Sequence, residues 1–356
     1  MEKRGFTSIT EQVAQSIRCG VRQGRWRETV PGRNRLAVEL GVNHKTVTAA
    51  LDILEAEGVL ESQGPGRERR IVDVGKLDPA PLRVAILLYE ESDRDTGYLL
   101  ALLHRLQDAG YDASYMPRTM RELGMDVARI ARVVRRAEAD AWVVVAGSRE
   151  VLEWFAEQPT PALALFGRSV GVPIASSAPQ KWEALTELVE RLVKLRHRRI
   201  ILLVREERRK PTPGFLERCF LEELEGHGIP TGSYNLPDWK DTPEGLQRFL
   251  DSLFRHTPPT ALLLDEPSLF IAARDHLARK GIHAPEHVSL VCCDADSTFH
   301  WCRPTIAHIA WDSRPVINRV VRWTKNISHR KDDRRKVFTK ARLILGGTLG
   351  PAPKDR

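Results

Sequence analysis

Residues 36–60 constrain this chain more than any other stretch: Leu-Ala-Val-Glu-Leu-Gly-Val-Asn-His-Lys-Thr-Val-Thr-Ala-Ala-Leu-Asp-Ile-Leu-Glu-Ala-Glu-Gly-Val-Leu. Leu36, Ala37 and Leu40 recur at helical spacing, and Gly41 interrupts the run. A glycine there can take the left-handed conformation that a sharp corner between helices needs. Asn43 is a good cap for a second helix, because its side chain can accept from a free amide at the helix start. On that helix Val47, Ala50, Leu51 and Leu54 share one face, and His44, Lys45, Thr46 and Thr48 lie on or near the other. A helix that follows a tight corner and starts with polar donors is suited to entering a DNA major groove.

The flanks extend this reading. Ile9, Val13, Ile17 and Val21 form a helical apolar stripe that predicts a first helix packed behind the corner. Residues 58–72 read as strand, turn, strand, with Gly64-Pro65-Gly66 in the turn and Arg67, Arg69 and Arg70 just beyond it. A basic hairpin of this kind seeks phosphates. Base edges are expected within reach of His44, Lys45 and Thr48, and phosphates within reach of Asn43, Thr46 and the wing. Arg33 and Arg35, which open the first helix of the pair, complete the candidate DNA-contacting set with Gly64 and Gly66. Glu55, Glu57 and Glu61 are expected to face away. A generic three-helix unit with a solvated hairpin is the plainer alternative. The ordered combination within one short stretch argues against it.

These residues resemble the GntR family of bacterial winged-helix regulators. The likeness rests on Gly24-Arg-Trp26, Val30-Pro31, Leu36-Ala37, Leu40-Gly41-Val42, Thr46-Val47, Ala50-Leu51, Leu54-Glu55-Ala56-Glu57-Gly58 and Gly64-Pro-Gly66. It covers about the first 72 residues. The family usually carries arginine where Asn34, His44 and Thr48 stand here, so the resemblance does not imply a typical family operator.

Charge and cysteine content narrow the setting. The formal charge of +8 favours a polyanionic partner, although a modest basic excess also serves solubility. The five cysteines, Cys19, Cys219, Cys292, Cys293 and Cys302, are odd in number and lack zinc-ligand spacing. Cys292-Cys293 falls in an apolar strand pattern, which predicts buried reduced thiols in a cytoplasmic protein. No signal peptide and no apolar run near a membrane-spanning length is visible, so neither export nor membrane insertion is expected.

Residues 73–81, Asp-Val-Gly-Lys-Leu-Asp-Pro-Ala-Pro, have linker chemistry. From residue 82 the pattern alternates. Apolar runs at 82–89, 141–146, 162–166, 199–204, 261–265 and 288–294 predict strands covered on both faces. Amphipathic runs at 98–109, 127–137, 183–194, 215–225, 243–254 and 269–280 predict intervening helices. The length favours two lobes over one sheet. The expected domains are therefore a winged-helix head at 1–72, a linker at 73–81 and a two-lobed α/β unit with parallel sheets at 82–350.

The second part resembles the effector domain of LacI/GalR-type regulators, which has the periplasmic-binding-protein fold. The matching stretches are Arg196-His-Arg-Arg-Ile-Ile-Leu-Leu-Val204, Gly214-Phe215, Gly281-Ile282, Pro285-Glu-His-Val-Ser-Leu-Val291 with Asp294, Arg303-Pro-Thr-Ile306 and Gly346-Gly-Thr348. The resemblance implies a small-molecule, sugar-like effector between two lobes, bound beyond the carboxyl ends of strands. That places Tyr89, Glu90, Gly147, Ser148, Arg149 and Gly167 in the candidate lining. Arg168, Arg205, Asp265, Glu266 and Asp294 join them, with Asp294 as the implied acceptor of sugar hydroxyls. Trp301 and Trp182 could offer aromatic faces to a pyranose, though ordinary packing is the commoner fate of tryptophan. Departures at Pro211, Ala178-Pro179 and Glu266-Pro267 remove usual polar anchors. Either the effector is no ordinary monosaccharide or the cleft has drifted.

The βα repeat also suits a dinucleotide-binding enzyme, but no Gly-x-Gly-x-x-Gly follows Tyr89. There is no phosphate-binding P-loop and no Gly-x-Ser-x-Gly elbow. Glu90, Glu91, Asp93 and Asp95 read best as a solvated loop, and His197 and His308 lack partners for a triad or a metal. The sequence reading is thus a non-enzymatic transcription regulator, a repressor, without cofactor or metal. Its expected partners are an operator in double-stranded DNA, a carbohydrate-like effector and a second copy of itself, with no membrane. An enzyme with an accessory DNA-binding head, and a regulator whose sensor binds nothing, are the alternatives. Dimer contacts are expected from an exposed apolar face on residues 98–106.

Overall fold

The computed structural model describes residues 8–22, 25–26, 28–64, 67–72 and 81–354. Two units separate, residues 1–81 and 82–356. Within the linker stretch 73–81 only Pro81 falls among the described residues.

The head contains α1 (Ile9–Arg22), β1 (Thr29–Val30), α2 (Arg33–Leu40), α3 (His44–Ala56), β2 (Leu60–Glu61) and β3 (Arg69–Ile71). The three helices enclose Val13, Ala14, Ile17, Leu36, Val47, Ala50, Leu51 and Leu54, all buried. Full burial contributes about 1.5–3 kcal/mol for each valine, leucine and isoleucine among them and less for the two alanines, which is what holds so small a unit together. Ile9, counted in the apolar stripe, lies exposed at the start of α1. The wing is a three-stranded antiparallel sheet in the order β1-β3-β2, and β1 supplies an edge that the two-strand reading lacks.

The second unit begins with β4 (Arg83–Leu87), α4 (Gly97–Asp108), β5 (Asp112–Tyr115), α5 (Val127–Arg136), β6 (Ala141–Val145), α6 (Arg149–Ala156), β7 (Ala162–Leu165) and β8 (Ala175–Gln180). It continues with α7 (Trp182–Lys194), β9 (Ile200–Leu203), α8 (Glu206–Arg209), α9 (Phe215–Gly226), α10 (Pro243–His256), β10 (Ala261–Leu264), α11 (Pro267–Arg279) and β11 (Ser289–Cys292). The chain closes with β12 (Ala307–Trp311), α12 (Ser313–Ser328) and β13 (Lys336–Ile344). Strand order is β5-β4-β6-β7-β8-β13-β12-β11-β10-β9, with every pairing parallel except β12 to β13.

Two lobes result. Residues of β4 alternate between two cores, Val84 and Ile86 on one face and Ala85 and Leu87 on the other, as a strand covered by helices on both sides must. Strands β9–β11 are likewise buried on both faces. The lobes join through β13, whose first half pairs with β8 and whose second half pairs with β12. Helix α12 returns from the second lobe to cover the first, placing Val316, Val320 and Trp323 against Leu99, Leu102 and Leu106 of α4.

That covering overturns one expectation. The apolar face of residues 98–106 is not a free dimerisation surface, because α12 and the sheet bury Leu99, Leu102 and Leu106. Only Leu100 of those leucines is exposed.

Candidate functional sites

In the head, the corner forms as its residues dictate. Gly41 ends α2 at φ 65° and ψ 29°, and the Val42 amide donates to the Ala37 carbonyl. Asn43 caps α3, its Oδ1 accepting from the Lys45 amide at 2.9 Å. His44 and Lys45 are exposed, Thr46 and Thr48 half-buried. Thr48 spends its hydroxyl proton on the His44 carbonyl at 2.9 Å, leaving its oxygen to accept.

The basic residues divide into two sets. Arg33, Arg35, Lys45 and Arg67 are exposed and make no ion pair with a described residue. Arg69 is held by Glu55 and Asp52 of α3, and Arg70 by Glu61 at 2.6 Å. Arg69 thus fastens the wing to α3, whereas Arg70 pairs strand to strand within the wing through exposed side chains. The glutamates expected to face away are their counterions, and Glu57 binds Arg18 at 2.8 Å. Gly64 is exposed at φ 103° in the turn, while Gly66 and Gly24 lie outside the described residues.

In the second unit the carboxyl ends of the strands converge on one cleft. Ala146 and Phe166, which directly follow β6 and β7, hold φ of 52° and 64°, a left-handed conformation unusual outside glycine. Gly167 shares it at φ 75°, and a Cβ there would lie 2.6 Å from the Gly147 oxygen. Backbone strain of this kind concentrates at ligand sites.

Charged side chains cross the cleft. Arg121 of the first lobe pairs with Glu90 at 2.8 Å and with Asp241 of the second lobe at 3.2 Å. Arg205 of the second lobe, buried, binds Glu266 at 2.9 Å and Asp241 at 3.0 Å, and reaches Glu90 at 3.5 Å. Burial opposes its charge, but Glu266, Glu90 and Asp241 outweigh it and hold the guanidinium above its ordinary value. Burial pushes the Glu266 carboxyl up against the downward pull of Arg205. Arg168 donates across the cleft to the carbonyls of Glu207, Lys210 and Thr212 at 2.9–3.2 Å. Tyr89 is buried with its hydroxyl unpartnered, as is one oxygen of Glu207. An open recess of about 430 Å³ adjoins Glu90 and Arg121.

Other expected lining residues have structural duties. Ser148 caps α6, accepting from the Val151 amide at 3.3 Å. Arg149 pairs with Glu153 and donates to the Val170 carbonyl. Asp265 binds Arg208 at 3.3 Å. Asp294, the implied hydroxyl acceptor, has both oxygens engaged: one takes the Trp311 indole at 2.6 Å and the Ala295 amide, the other Lys181 at 2.7 Å. Burial lowers the Lys181 ammonium, but Asp294 and Asp265 outweigh it and raise it. Trp311 itself packs on Tyr98 and Phe166 with ring centroids 5.5 and 5.6 Å away. Asp294 therefore anchors the seam between lobes. The acidic loop at 90–95 is not merely solvated, since Glu90 bridges to two arginines and Asp93 accepts from the Tyr89 and Glu90 amides. Trp182 and Trp301 are exposed, Trp301 at 82%. Arg121, Asp241 and Lys181 escaped the sequence reading. They carry no motif, and only the meeting of distant segments marks them.

Cys292 and Cys293 are buried, and burial pushes both thiols up. Cys219 and Cys302 are free and partly buried, while the Cys19 side chain lies outside the described residues. Among the described residues no group of His, Cys, Asp and Glu could hold a metal, and no helix is long and apolar enough to cross a membrane.

A capped, outward-facing helix with a wing, followed by two α/β lobes about a cleft, defines a DNA-binding regulator that carries a ligand-binding type of fold. The comparisons agree. Residues 9–67 match the family described as bacterial regulatory proteins, gntR family, and residues 189–349 match the periplasmic binding protein-like domain. Residues 9–67 are thus a gntR-type DNA-binding head, and residues 189–349 belong to a periplasmic-binding-protein-like domain. No curated protein matches it. Among solved structures, it is similar to the transcriptional regulator CelR in complex with cellobiose, at 15% identity and a TM-score of 0.62 over 90% of this chain and 100% of that one. It is also similar to a LacI family transcriptional regulator from Enterococcus faecium with bound ribose, at 15% identity and a TM-score of 0.60 over 76% and 99%. A LacI-type regulator from Bacillus cereus subsp. cytotoxis gives 13% identity and a TM-score of 0.64 over 76% and 99%. At such identity these likenesses bear on fold.

Proposed function

We propose that this protein represses transcription in the cytoplasm by binding an operator in double-stranded DNA as a homodimer, and that a small sugar-like effector closing between its lobes sets its DNA affinity. The Asn43-capped helix carries the reading. It turns His44 and Lys45 outward on a head that also exposes Arg33, Arg35 and Arg67, without an ion pair among the described residues, the chemistry that engages base edges and phosphates. The palindromic half-sites expected for such a repressor would follow from a two-fold axis. The polyhydroxylated effector class is supported by the ribose and cellobiose named for two similar structures and by the strained, polar strand ends that face the cleft. The role is one of binding, without turnover.

Selection of bound sequences from random duplexes, repeated with a carbohydrate library present, tests both halves. A recovered palindrome whose occupancy changes with one sugar is the expected result. Absence of any sequence enrichment would end the regulator reading. A second reading, in which the sensor binds no effector, is favoured by the mutual pairing of Arg121, Arg205, Glu90, Asp241 and Glu266 across the cleft. Saturable thermal stabilisation by any sugar excludes it.

A further inference from the structure

Helix α5 carries Arg129, Arg132, Arg135 and Arg136 within 10 residues, and all four are exposed. At 3.6 residues per turn they fall within about a third of the circumference, opposite the buried Ile130 and Ala131. None makes an ion pair with a described residue. The nearby acids do not neutralise them. Asp126 caps α5, its carboxylate accepting from the Arg129 amide at 2.8 Å but forming no ion pair with an arginine side chain; Glu138 and Asp140 are taken by Arg83, Glu153 by Arg149, and exposed Glu150 on α6 and Glu157 just after it pair with nothing on α5.

Helix stability does not explain this stripe. Arg135 and Arg136 suit the negative end of the helix dipole, but Arg129 lies in the first turn, where a cation is unfavourable. Arg129, Arg132 and Arg136 repel one another at spacings of three, four and seven residues. A face that costs the fold something is compensated when a polyanion covers it. The stripe is about 10 Å long, a length over which a DNA duplex presents about six phosphate charges. The polyanion need not be sought elsewhere, because the head on the same chain binds DNA and so holds it at high effective concentration.

We propose that the arginine face of α5 is a second, sequence-independent contact surface for the phosphate backbone of duplex DNA. The proposal rests on the operator-binding reading of the head and adds a sensor-domain contact to it.

The test uses the full-length protein and two duplexes: the shortest that retains a selected operator, and the same duplex lengthened by random sequence on both sides. For the long duplex, Arg132→Glu with Arg136→Glu is expected to weaken binding about tenfold and to flatten the dependence of log affinity on log salt by about 2. On the short duplex both quantities should stay near the parent's, and Arg132→Lys with Arg136→Lys should restore the long-duplex affinity. An unchanged melting temperature certifies the fold. Equal loss on both duplexes, or loss on neither, overturns the proposal while leaving the head's role intact. Failure of the parent to bind either duplex removes both.

Discussion

Lys45 and Arg69 are both cations of the head, yet their surroundings assign them different work. Lys45 stands exposed one residue into the capped helix, whereas Arg69 is three-quarters covered and held by Glu55 and Asp52. Lys45→Ala should therefore relax sequence preference among operator variants, which binding across a mutated operator set will measure. Arg69→Ala should instead lower the stability of the head by about 1 kcal/mol, as expected of a partly exposed pair, seen in denaturant unfolding. From sequence alone both look like DNA ligands, since nothing in the residue itself reveals a counterion on another element. A deeper contrast lies at Asp333. Its carboxylate accepts from Arg335, Arg319 and Asn326, and the Arg319–Asp333 pair is almost wholly buried. The hydrogen bonds from Arg335, then Arg319 and Asn326, hold the carboxyl far below its ordinary value. A depressed folded-state value contributes stability that is complete above the unfolded aspartate's pKa of about 3.9 and is lost as pH falls through the folded one. Asp333→Asn should cost about 3 kcal/mol at neutral pH because Arg319 is left buried without its partner charge. The difference from the parent should shrink below about pH 4, which unfolding curves at several pH values will show.

Elements divide by how much of their cause is local. The Gly41 corner and the Asn43 cap could be read directly, because each depends on residues within one turn. The strands at 200–203 and 261–264 were equally legible, since burial on both faces writes an unbroken apolar run. By contrast β8, Ala-Ser-Ser-Ala-Pro-Gln, and β13, Lys-Val-Phe-Thr-Lys-Ala-Arg-Leu-Ile, have no such run, and they become strands by pairing with each other across the lobe seam. Helix α12 carries an apolar stripe at Val316, Ile317, Val320, Trp323 and Ile327 that periodicity could have found, but only the fold shows that it covers α4. The cleft's charge pairs were illegible for the same reason. Two glycines separate backbone freedom from space. Both Gly41 and Gly167 hold a positive φ, but a Cβ at Gly41 meets nothing within 4 Å, whereas at Gly167 it would strike Gly147. Gly41→Ala should cost only the conformational strain, about 1–2 kcal/mol. Gly167→Ala adds a backbone collision and should destabilise its unit distinctly more, with denaturant midpoints for the two variants as the measure.

For the sensor unit as a whole, the question is what holds the lobes together when the cleft is empty. Arg168 reaches three carbonyls of the opposite lobe, and Arg121 reaches Asp241. Arg205 ties Asp241 and Glu266 to Glu90. If the proposed effector is gripped at these strand ends, it competes with these contacts. The half-exposed Arg121–Asp241 pair and the partly exposed hydrogen bonds of Arg168 contribute about 1 kcal/mol per arginine. Removing Arg121 and Arg168 together should then shift the closed-to-open balance by about 2 kcal/mol, or roughly thirtyfold. Arg205 is the wrong residue to delete for this purpose, since its loss would strand Asp241 and Glu266 as partly buried carboxylates without their shared cation. The Arg121→Ala, Arg168→Ala variant should show a larger radius of gyration by small-angle X-ray scattering without effector. The parent should move toward the same value as salt is raised and the pairs are screened. An identical radius for parent and variant at every salt concentration would mean that the hinge packing around Trp311 sets closure. In that case an effector would bind without displacing the ion pairs.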